Sequence, residues 1–486
     1  MGSLFISAAH KSSGKTTITL GLCAALKQRG QRVRPFKKGP DYIDPMWLGK
    51  AAGHACYNLD FHTMQQDEIL RKFQHHTDSG DISIIEGNKG LYDGLDLDGS
   101  NSNAALAILL NTPVVLVIDA QGMTRGIAPL ILGYQAFEPR LNIAGIILNK
   151  LGGRRHESKL RAVIEHYTDV PVIGAVQRDQ RLQILERHLG LVPSNEETGA
   201  EQHIAAVADI IAQQVDLDRL LSLAGPSHPP GVEQQPQHNI KPSAAMADPG
   251  RETPGPLRIG IARDSAFGFY YPDDLEAFTT AGATLIPIDT LHDQQLPDID
   301  GLFIGGGFPE TQMQALQANT ALRAALRDAI EKGLPVYAEC GGLMYLSRSL
   351  RWQDQCCEMV GAIPADTVMH ERPQGRGYVR LKERQSHPWQ LDHSNAEAAE
   401  YPAHEFHYSS LENLAGEVNY AYDVLRGAGI DGQHDGIIYR NVLACYTHFR
   451  DVDQNHWVTR FLQFVRAQNG SSPHAQTAQY PQTLSR

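Results

Sequence analysis

Residues 9–16 carry the first group of side chains whose spacing predicts chemistry. They read Ala-His-Lys-Ser-Ser-Gly-Lys-Thr, which matches the phosphate-binding pattern G-x-x-x-x-G-K-[ST] except that Ala9 replaces the first glycine. An apolar run precedes the segment and an amphipathic pattern follows it, so the loop should join a strand to a helix and hold phosphates with backbone N–H groups. We predict that Lys15 contacts the β- and γ-phosphates of ATP and that Thr16 binds Mg²⁺. The predicted nucleotide-binding residues are Ser12, Ser13, Gly14, Lys15, Thr16, Thr17 and Asn149.

Two further polar clusters follow predicted strands and suit the metal and the substrate of a phosphate site. They occupy residues 37–45, Lys-Lys-Gly-Pro-Asp-Tyr-Ile-Asp-Pro, and residues 86–94, Glu-Gly-Asn-Lys-Gly-Leu-Tyr-Asp-Gly. Because the carboxyl ends of the strands form the ligand crevice of an open parallel sheet, we expect both clusters beside the phosphate loop. Asp41 and Glu86 are hard oxygen ligands suited to Mg²⁺. A helix cap or turn is the alternative role for each carboxylate, and Asn149 is either an adenine contact or a turn residue.

A second centre for chemistry lies in residues 335–342, which read Pro-Val-Tyr-Ala-Glu-Cys-Gly-Gly. An apolar strand that runs into a nucleophile flanked by small residues, with a helical pattern after it, is typical of a nucleophile elbow. Cys340 would be the nucleophile, and the N–H groups of Gly341 and of the glycine-rich run at Gly306 would stabilise an oxyanion. A thiol needs a base to become a thiolate at neutral pH, and His448, which follows an apolar strand, is the best candidate.

The elements that must position the phosphate site alternate between short apolar runs and helical patterns. The first helix should start at Thr16 and stop near Gly30. Continuous Val/Ile/Leu runs are typical of strands that are buried on both faces. Such alternation predicts the α/β class, with a doubly wound parallel sheet. The predicted strands of this first domain are 4–8, 82–86, 114–119 and 143–149.

A second α/β domain should carry the thiol, because the alternating pattern restarts after a polar segment. Residues 223–256 are rich in Pro, Gly, Gln and Ser and contain no aromatic residue, so they predict a flexible linker. The tail at 469–486 has a similar composition. We therefore predict domains at 1–222 and 257–468. The predicted strands of the second domain are 257–262, 284–287, 302–304 and 335–338, followed by a β-rich end with turns near Gly375 and at 440–441.

The bulk composition excludes several classes of protein. The chain has 486 residues and a formal net charge of −12, which argues against nucleic-acid binding. No run approaches the roughly 20 apolar residues of a membrane span, and the N-terminus does not resemble a signal peptide. Six cysteines in so long a chain, without paired CxxC spacing, indicate reduced thiols rather than disulfides or zinc. We expect a cytoplasmic protein.

Together these motifs resemble one family, the cobyrinic acid a,c-diamide synthases. The resemblance covers nearly the whole chain except the linker and the tail. It implies an ATP-dependent, dethiobiotin-synthetase-like P-loop domain followed by a class I glutamine amidotransferase domain. The segments that carry it, in the order of the family, are 13–17, 38–45, 86–87 with 90–94, 186–191, 338–346 and 404–409.

The resemblance also implies a mechanism and roles for individual residues. Cys340 would attack glutamine and release ammonia, with His448 moving the proton. Mg-ATP would phosphorylate a carboxylate of a tetrapyrrole, and ammonia would displace the phosphate, at the a and c acetate side chains in turn. A homodimer is compatible with the resemblance. Within the family's pattern Asp41 and Glu86 bind the metal, while the residues implied in substrate binding or activation are Tyr42, Asp44 and Asp93.

Three departures from the family leave the substrate and one site residue open. Asn88-Lys89 replaces a Val-Met pair, and residues 99–103 replace a simpler Gly-Ser-Thr stretch. Both features resemble a branch of the family in sulfur-oxidising bacteria, whose implied substrate is sirohaem or sirohydrochlorin for dissimilatory sulfite reductase. Arg450 stands where many amidotransferases have a glutamate, so only the Cys–His pair is assured.

An alternative from another class is a partition-type ATPase switch, which would bind a partner rather than make a product. The second lysine of that class lies five residues before the lysine of the loop. Here Lys11 lies four residues before Lys15, so the spacing differs. The second domain with its elbow cysteine also argues against this class.

Overall fold

A computed structural model describes residues 2–78, 80–184, 186–187, 190–197, 199–226, 255–389 and 399–470. The chain divides into two compact units, Met1–Asn239 and Ile240–Arg486. Most of the predicted linker, at 227–254, and of the predicted tail, at 471–486, lies outside the described residues. The described part of the first unit ends at residue 226, where Gly225–Pro226 pairs with the first strand of its sheet. The domain boundaries and the flexibility of the linker stay predictions.

The first unit is an α/β domain in which strands alternate with helices. Its strands are β1 Gly2–Ala8, β2 Val33–Lys38, β3 Tyr57–Leu59, β4 Ile82–Glu86, β5 Val114–Asp119, β6 Ile143–Leu151, β7 Val172–Gln177, β8 Glu186–Arg187, β9 Gly190–Leu191 and β10 Gly225–Pro226. Its helices are α1 Lys15–Gln28, α2 Ile43–Ala52, α3 Gln66–His75, α4 Asn103–Leu109, α5 Ile127–Phe137, α6 Arg154–Tyr167, α7 Ala200–Gln214 and α8 Leu217–Leu223.

The main sheet of the first unit has the order β3-β2-β4-β1-β5-β6-β7 and is parallel throughout, with β10 antiparallel to one end of β1. All strands of a parallel sheet end on the same edge, so the loops after β1, β2 and β4 meet there. Helix α1 packs in the core, where a Cβ added to Gly21 would lie 2.3 Å from Ile211 of α7. This close packing fixes the helix that follows the phosphate loop.

The second unit is also α/β, with a larger antiparallel part. Its strands are β11 Leu257–Ala262, β12 Phe267–Phe269, β13 Ala283–Ile288, β14 Gly301–Ile304, β15 Gly306–Gly307, β16 Val336–Glu339, β17 Ser349–Trp352, β18 Gln355–Glu358, β19 Asp366–Met369, β20 Gly375–Glu383, β21 Glu400–His407, β22 Ser409–Glu412, β23 Asn419–Arg426, β24 His434–Tyr439 and β25 Val442–Cys445. Its helices are α9 Pro272–Thr280, α10 Met313–Ala318, α11 Thr320–Glu331, α12 Gly341–Leu346 and α13 Trp457–Gly470.

The central sheet of the second unit changes from parallel to antiparallel at β25. Its order is β13-β11-β14-β16-β25-β24-β23-β20-β21, with parallel pairs from β13 to β25 and antiparallel pairs beyond. Strands β16 and β25 are therefore parallel neighbours, although more than a hundred residues separate them in the sequence. The loops that follow these two strands leave the same edge of the sheet.

The predicted α/β class and parallel sheet are confirmed, and several strand ends agree with the predictions. The strands at 82–86, 114–119 and 257–262 have the predicted bounds. Strand β1 starts two residues earlier than predicted, because Gly2 and Ser3 pair with β10. Strand β6 ends two residues later, because Leu151 pairs with Gln177 of β7.

Candidate active sites

The phosphate loop of the first unit is held in shape by the end of strand β6. Asn149 Nδ2 donates to the Ser13 carbonyl at 2.8 Å, and Lys150 Nζ donates to the Ser12 carbonyl at 2.8 Å. Gly14 has a φ of +82°, and a Cβ there would lie 2.2 Å from Asn149 Nδ2. Position 14 must therefore be glycine, both for its left-handed backbone and for its packing. The contact of Asn149 with adenine stays a prediction.

Three donors converge on one carboxylate oxygen at the edge of the sheet. Glu86 Oε1 accepts from Lys15 Nζ at 3.0 Å, from Thr16 Oγ1 at 2.9 Å and from Lys37 Nζ at 2.7 Å. The strand register explains the last of these contacts, because Lys37 on β2 is paired with Glu86 on β4. Lys37 was not among the predicted site residues, yet it is buried at the centre of the cluster.

The segment after β2 adds two more carboxylates to the cluster. Asp44 Oδ2 accepts from Lys37 Nζ and, at 3.3 Å, from Thr16 Oγ1. Asp41 Oδ1 accepts the N–H groups of residues 43 and 44 at 2.9 and 3.1 Å, so it caps helix α2, and its Oδ2 lies 3.9 Å from Lys37 Nζ. Tyr42 is buried. The structure thus brings Asp44 into contact with Thr16 of the phosphate loop and Asp41 to within 3.9 Å of Lys37 Nζ.

The two lysines at the end of β2 differ in their pKa. Burial alone would lower the pKa of Lys37, but Asp44, Glu86 and Asp41 raise it above its ordinary value, so this lysine stays cationic. The pKa of Lys38 is lowered to about 8, chiefly by burial, while Asp60 opposes this fall and Lys89 and Lys37 add to it. Lys37 is therefore a permanent charge that balances the carboxylates.

The residues of this cluster fit a divalent metal. Glu86 Oε2 is buried and has no hydrogen-bond partner among the described residues, whereas Oε1 accepts three donors. A buried carboxylate oxygen without a partner is costly unless a ligand completes it. The Thr16 hydroxyl donates to Glu86 Oε1, and the carboxylate of Asp41 lies in the same cluster, 3.9 Å from Lys37 Nζ. These three residues offer the hard oxygen donors that Mg²⁺ prefers.

The loop after β4 is anchored to the start of the phosphate loop. Leu91 N donates to the Ala8 carbonyl at 2.8 Å, and Asp93 Oδ2 accepts from Gly90 N at 2.8 Å. Asn103 links both ends of the turn, since its Oδ1 accepts from Asn88 N at 3.0 Å and its Nδ2 donates to the Gly90 carbonyl at 2.6 Å. The predicted substrate residue Asp93 is thereby fixed on a rigid turn close to the phosphate site.

In the second unit, Cys340 forms a strained turn between β16 and α12. Its φ of +47° lies in the left-handed region, which non-glycine residues rarely adopt without a structural reason. The turn is stabilised by its N–H group, which donates to the Cys445 carbonyl of β25 at 2.7 Å. The thiol is largely buried and its Sγ lies 4.0 Å from the Phe406 carbonyl oxygen. This geometry is that of the predicted nucleophile elbow.

His448 reaches the elbow because its strand lies beside that of the cysteine. Strand β25 pairs with β16, with Cys445 opposite Glu339, and His448 follows three residues later. Its Nδ1 lies 3.3 Å from Glu339 Oε2. Burial alone would lower the pKa of His448, but hydrogen bonds to Cys340 and Glu339 raise it to about 10. The imidazolium form is thus favoured next to the thiol.

The predicted oxyanion glycines both lie in tight packing around this pair. A Cβ added to Gly306 would lie 2.7 Å from His448 Cε1, and one added to Gly341 would lie 3.0 Å from Gly307 N. The glycine-rich segment after β14 therefore approaches both the elbow and the histidine ring. Donation by Gly306 and Gly341 to an oxyanion stays a prediction.

Two protein-family models match the chain, one over each of the two units that carry these sites. Residues 5–192 match the CobQ/CobB/MinD/ParA nucleotide binding domain, and residues 258–455 match the CobB/CobQ-like glutamine amidotransferase domain. The cobyrinate a,c-diamide synthase of Magnetococcus marinus is 45% identical over 473 residues, which cover 96% of this chain and 98% of that protein. The chain belongs to the cobyrinate a,c-diamide synthase family. Proteins of the same name from Methanosarcina acetivorans and Listeria monocytogenes are 41% and 38% identical; each match covers 92% of this chain and, respectively, 92% and 96% of those proteins.

Membership of the family confirms several predictions from the sequence. The chain joins a P-loop nucleotide-binding domain to a glutamine amidotransferase domain, and it is a glutamine-dependent carbon–nitrogen ligase that uses ATP. The amidotransferase match over residues 258–455 does not support the partition-type ATPase alternative. No helix among the described residues is long and apolar enough to cross a lipid bilayer.

Sequence reasoning missed two buried charges, Lys37 and Glu339. Lys37 lies near the end of the strand Val-Arg-Pro-Phe-Lys-Lys, and Glu339 ends the otherwise apolar strand Val-Tyr-Ala-Glu. Both side chains are buried. Because a buried charge needs a partner, this position alone marks a residue for closer attention. The partners themselves lie on neighbouring strands and are visible only in the fold.

Proposed function

We propose that this protein converts the a and c acetate carboxylates of cobyrinic acid into carboxamides, with ATP as the activating substrate and glutamine as the nitrogen donor. The observation that carries the proposal is the presence of two complete but different sites. A cationic phosphate loop with clustered carboxylates suits phosphoryl transfer to an acid, and a cysteine elbow with a histidine suits the release of ammonia from glutamine.

Cys340 and His448 carry the glutaminase half of the reaction. The thiol gives its proton to His448, and Sγ attacks the side-chain amide carbon of glutamine, while Gly341 and Gly306 N–H groups bind the oxyanion. The carbon–nitrogen bond breaks as the imidazolium protonates the leaving nitrogen, which departs as ammonia. Water then hydrolyses the thioester, which yields glutamate and restores the thiol.

The first unit carries the synthase half. The backbone of residues 12–17 and the Lys15 ammonium bind the phosphates of ATP, and the substrate carboxylate attacks the γ-phosphorus to form an acyl phosphate and ADP. Ammonia then attacks the acyl carbon and expels phosphate. Thr16, Asp41 and Glu86 would hold Mg²⁺, which neutralises charge on the phosphates when it is bound. Lys37 keeps the carboxylates of the cluster oriented by pairing with Glu86 and Asp44.

The choice of substrate rests on the relatives and on the loop after β4. The relatives above carry the name cobyrinate a,c-diamide synthase, which points to cobyrinic acid. We assign substrate binding to Tyr42, Asp44 and Asp93. In support, Asp44 Oδ2 accepts from Thr16 Oγ1, and Asp93 accepts from Gly90 in the turn that is hydrogen-bonded to Ala8. Sirohaem is the second candidate, because Asn88 differs from the usual family residue in the way that resembles the sirohaem branch. Asn88 also hydrogen-bonds to Asn103, in the same turn in which Gly90 donates to Asp93. We place the enzyme in the cytoplasm.

The experiment that tests the proposal is a substrate panel. Purified protein is incubated with Mg-ATP and glutamine, and with cobyrinic acid, sirohaem or sirohydrochlorin in parallel, and the product masses are measured. Two successive replacements of a hydroxyl by an amino group on cobyrinic acid are the expected result. Amidation of sirohaem alone would replace the proposed substrate, and no amidation of any of the three would overturn the proposal.

A further inference from the structure

We propose that Glu339 is the positioning residue of the amidotransferase site, whose carboxylate holds the ring of His448 in the tautomer and orientation that Cys340 needs. This inference rests on the roles proposed above for Cys340 and His448. Many amidotransferases have a glutamate two residues after the catalytic histidine, but this chain has Arg450 there. Glu339 would supply the missing carboxylate. The acid comes instead from the residue directly before the nucleophile.

The contact between the carboxylate and the ring determines the tautomer. Glu339 Oε2 lies 3.3 Å from His448 Nδ1, and both side chains are buried. An ionised carboxylate can only accept a hydrogen bond, so Nδ1 must carry the hydrogen. The other ring nitrogen is then left to exchange a proton with the thiol of Cys340, whose interaction with the ring raises the pKa of His448.

The other oxygen of the carboxylate is fixed, which reserves Oε2 for the ring. Glu339 Oε1 accepts from the Tyr337 hydroxyl at 2.6 Å and from the Phe449 N–H group at 2.9 Å. Burial raises the pKa of Tyr337 well above its ordinary value, so the hydroxyl remains a donor. Because Phe449 directly follows His448, one carboxylate orients both the backbone and the ring of the histidine segment.

Arg450 forms an ion pair with Asp273. Its Nη2 lies 2.6 Å from Asp273 Oδ2, and its guanidinium lies 4.7 Å from the centre of the Tyr271 ring. Both charged side chains of this pair are fully buried. The nearby Asp273 is therefore neutralised by Arg450, and Glu339 is the carboxylate that faces the histidine ring.

Titratable groups from several elements face His448. Glu339 Oε2 lies 3.3 Å from its Nδ1, Cys340 raises its pKa, and the His404 ring of β21 stacks on it with centroids 4.9 Å apart. Glu339 is the anion that raises the pKa of His448 in every state of the thiol. Replacing it with a neutral amide must lower that pKa, so the limb of the pH–rate profile that reports His448 must move to lower pH.

The test compares Glu339→Gln with Asp435→Asn in a glutaminase assay of the full-length protein. Asp435 is a matched control: its buried carboxylate accepts the Tyr446 and Thr447 N–H groups at 3.0 Å each, so it holds the same chain segment as Glu339. We expect Glu339→Gln to lower kcat by about 100-fold with an unchanged KM for glutamine, and to move the His448 limb down by about one pH unit. Glu339→Asp, which keeps the charge, should restore the limb. Asp435→Asn should leave it in place.

The outcomes separate this inference from the proposed function. Equal losses of kcat in Glu339→Gln and Asp435→Asn, with the wild-type pH profile in both, would overturn the positioning role. Wild-type protein without Cys340-dependent glutaminase activity would instead overturn the proposed function. A cooperative urea unfolding transition like that of the wild type shows that the Glu339→Gln variant is folded. Should it not fold, Glu339→Asp decides, because its shorter side chain should lower kcat by about 10-fold, and a wild-type kcat would refute the inference.

Discussion

The cluster around Glu86 and the cluster around His448 both bury charge at the carboxyl end of a parallel strand, but they balance it differently. At Glu86, three donors share one carboxylate oxygen while the second oxygen has no partner among the described residues. At His448, both oxygens of Glu339 are used, one by Tyr337 and Phe449 and one by the ring.

The difference indicates that the phosphate site is completed only when its ligands bind, whereas the thiol site is already assembled without a ligand. The phosphate site has a carboxylate oxygen of Glu86 placed for a metal and Lys15 placed for phosphates, so binding should complete its hydrogen bonds and stabilise the first unit. The thiol site needs only glutamine, because its nucleophile, base and carboxylate already contact one another. Changes in the two units should therefore affect different half-reactions.

The largest expected effect comes from Cys340→Ala. Glutamine-dependent amidation should fall by about 10³-fold or more, since no other group can form the thioester. Amidation with ammonium salts should continue, because the phosphate site is untouched. Rates with the two nitrogen sources, measured side by side, check this prediction. Glutamine-dependent turnover by the variant at the wild-type rate would remove the basis for the thiol site.

Lys37→Met should be the most destabilising change at the phosphate site. It leaves the buried carboxylate of Glu86 and the half-buried carboxylate of Asp44 without their shared cation, which should cost about 3–5 kcal/mol in the free energy of unfolding. Lys332→Met removes an ion pair between exposed side chains and should cost less than about 0.5 kcal/mol. Urea unfolding of both variants gives the comparison. Similar costs would mean that the cluster is not the balanced charge network described here.

Glu86→Gln tests whether the free carboxylate oxygen serves the metal. Amidation with either glutamine or ammonium should fall by about 100-fold, while glutaminase activity stays at the wild-type level. Mg-ATP should raise the unfolding temperature of the wild-type protein and no longer raise that of the variant. A variant that Mg-ATP stabilises as strongly as it does the wild type would assign the metal to other ligands.

The smallest effect is expected for Gly306→Ala, which probes the packing of the thiol site. The added Cβ would lie 2.7 Å from His448 Cε1, so the ring must shift. Glutaminase activity should fall by about 10-fold, because small displacements of a catalytic group are costly. Gly470→Ala, where an added Cβ meets nothing within 4 Å, is the control in the same unit. Equal activities would show that the ring position tolerates displacement.

The sequence predicted much of the fold because its buried strands are short apolar runs with clear ends. The bounds at 82–86, 114–119 and 257–262 agree with the structure. The ends of β1 and β6 were missed because pairing with β10 and β7 extends these strands beyond their apolar runs. Such pairing depends on distant parts of the chain rather than on local pattern.

For the candidate sites, too, the sequence predicted the residues in local motifs but not the contacts between distant strands. Lys15, Glu86 and Cys340 are recognisable from local motifs. The structure places Lys15 at the start of helix α1, Glu86 at the end of strand β4 and Cys340 directly after strand β16. The contacts of Lys37 with Glu86 and of Glu339 with His448 join residues 49 and 109 positions apart. These contacts exist because β2 pairs with β4 and β16 pairs with β25 in the observed registers. The sequence pattern determines neither which strands pair nor their register.

The most direct test of the central claim follows the atoms of one reaction through both sites. Cobyrinic acid labelled with ¹⁸O in its carboxylates is incubated with Mg-ATP and glutamine labelled with ¹⁵N in its amide, and the products are analysed by mass spectrometry. The account predicts ¹⁵N in the carboxamides and one ¹⁸O in the inorganic phosphate for each amide formed. Carboxamides that form without transfer of ¹⁸O to phosphate would contradict it.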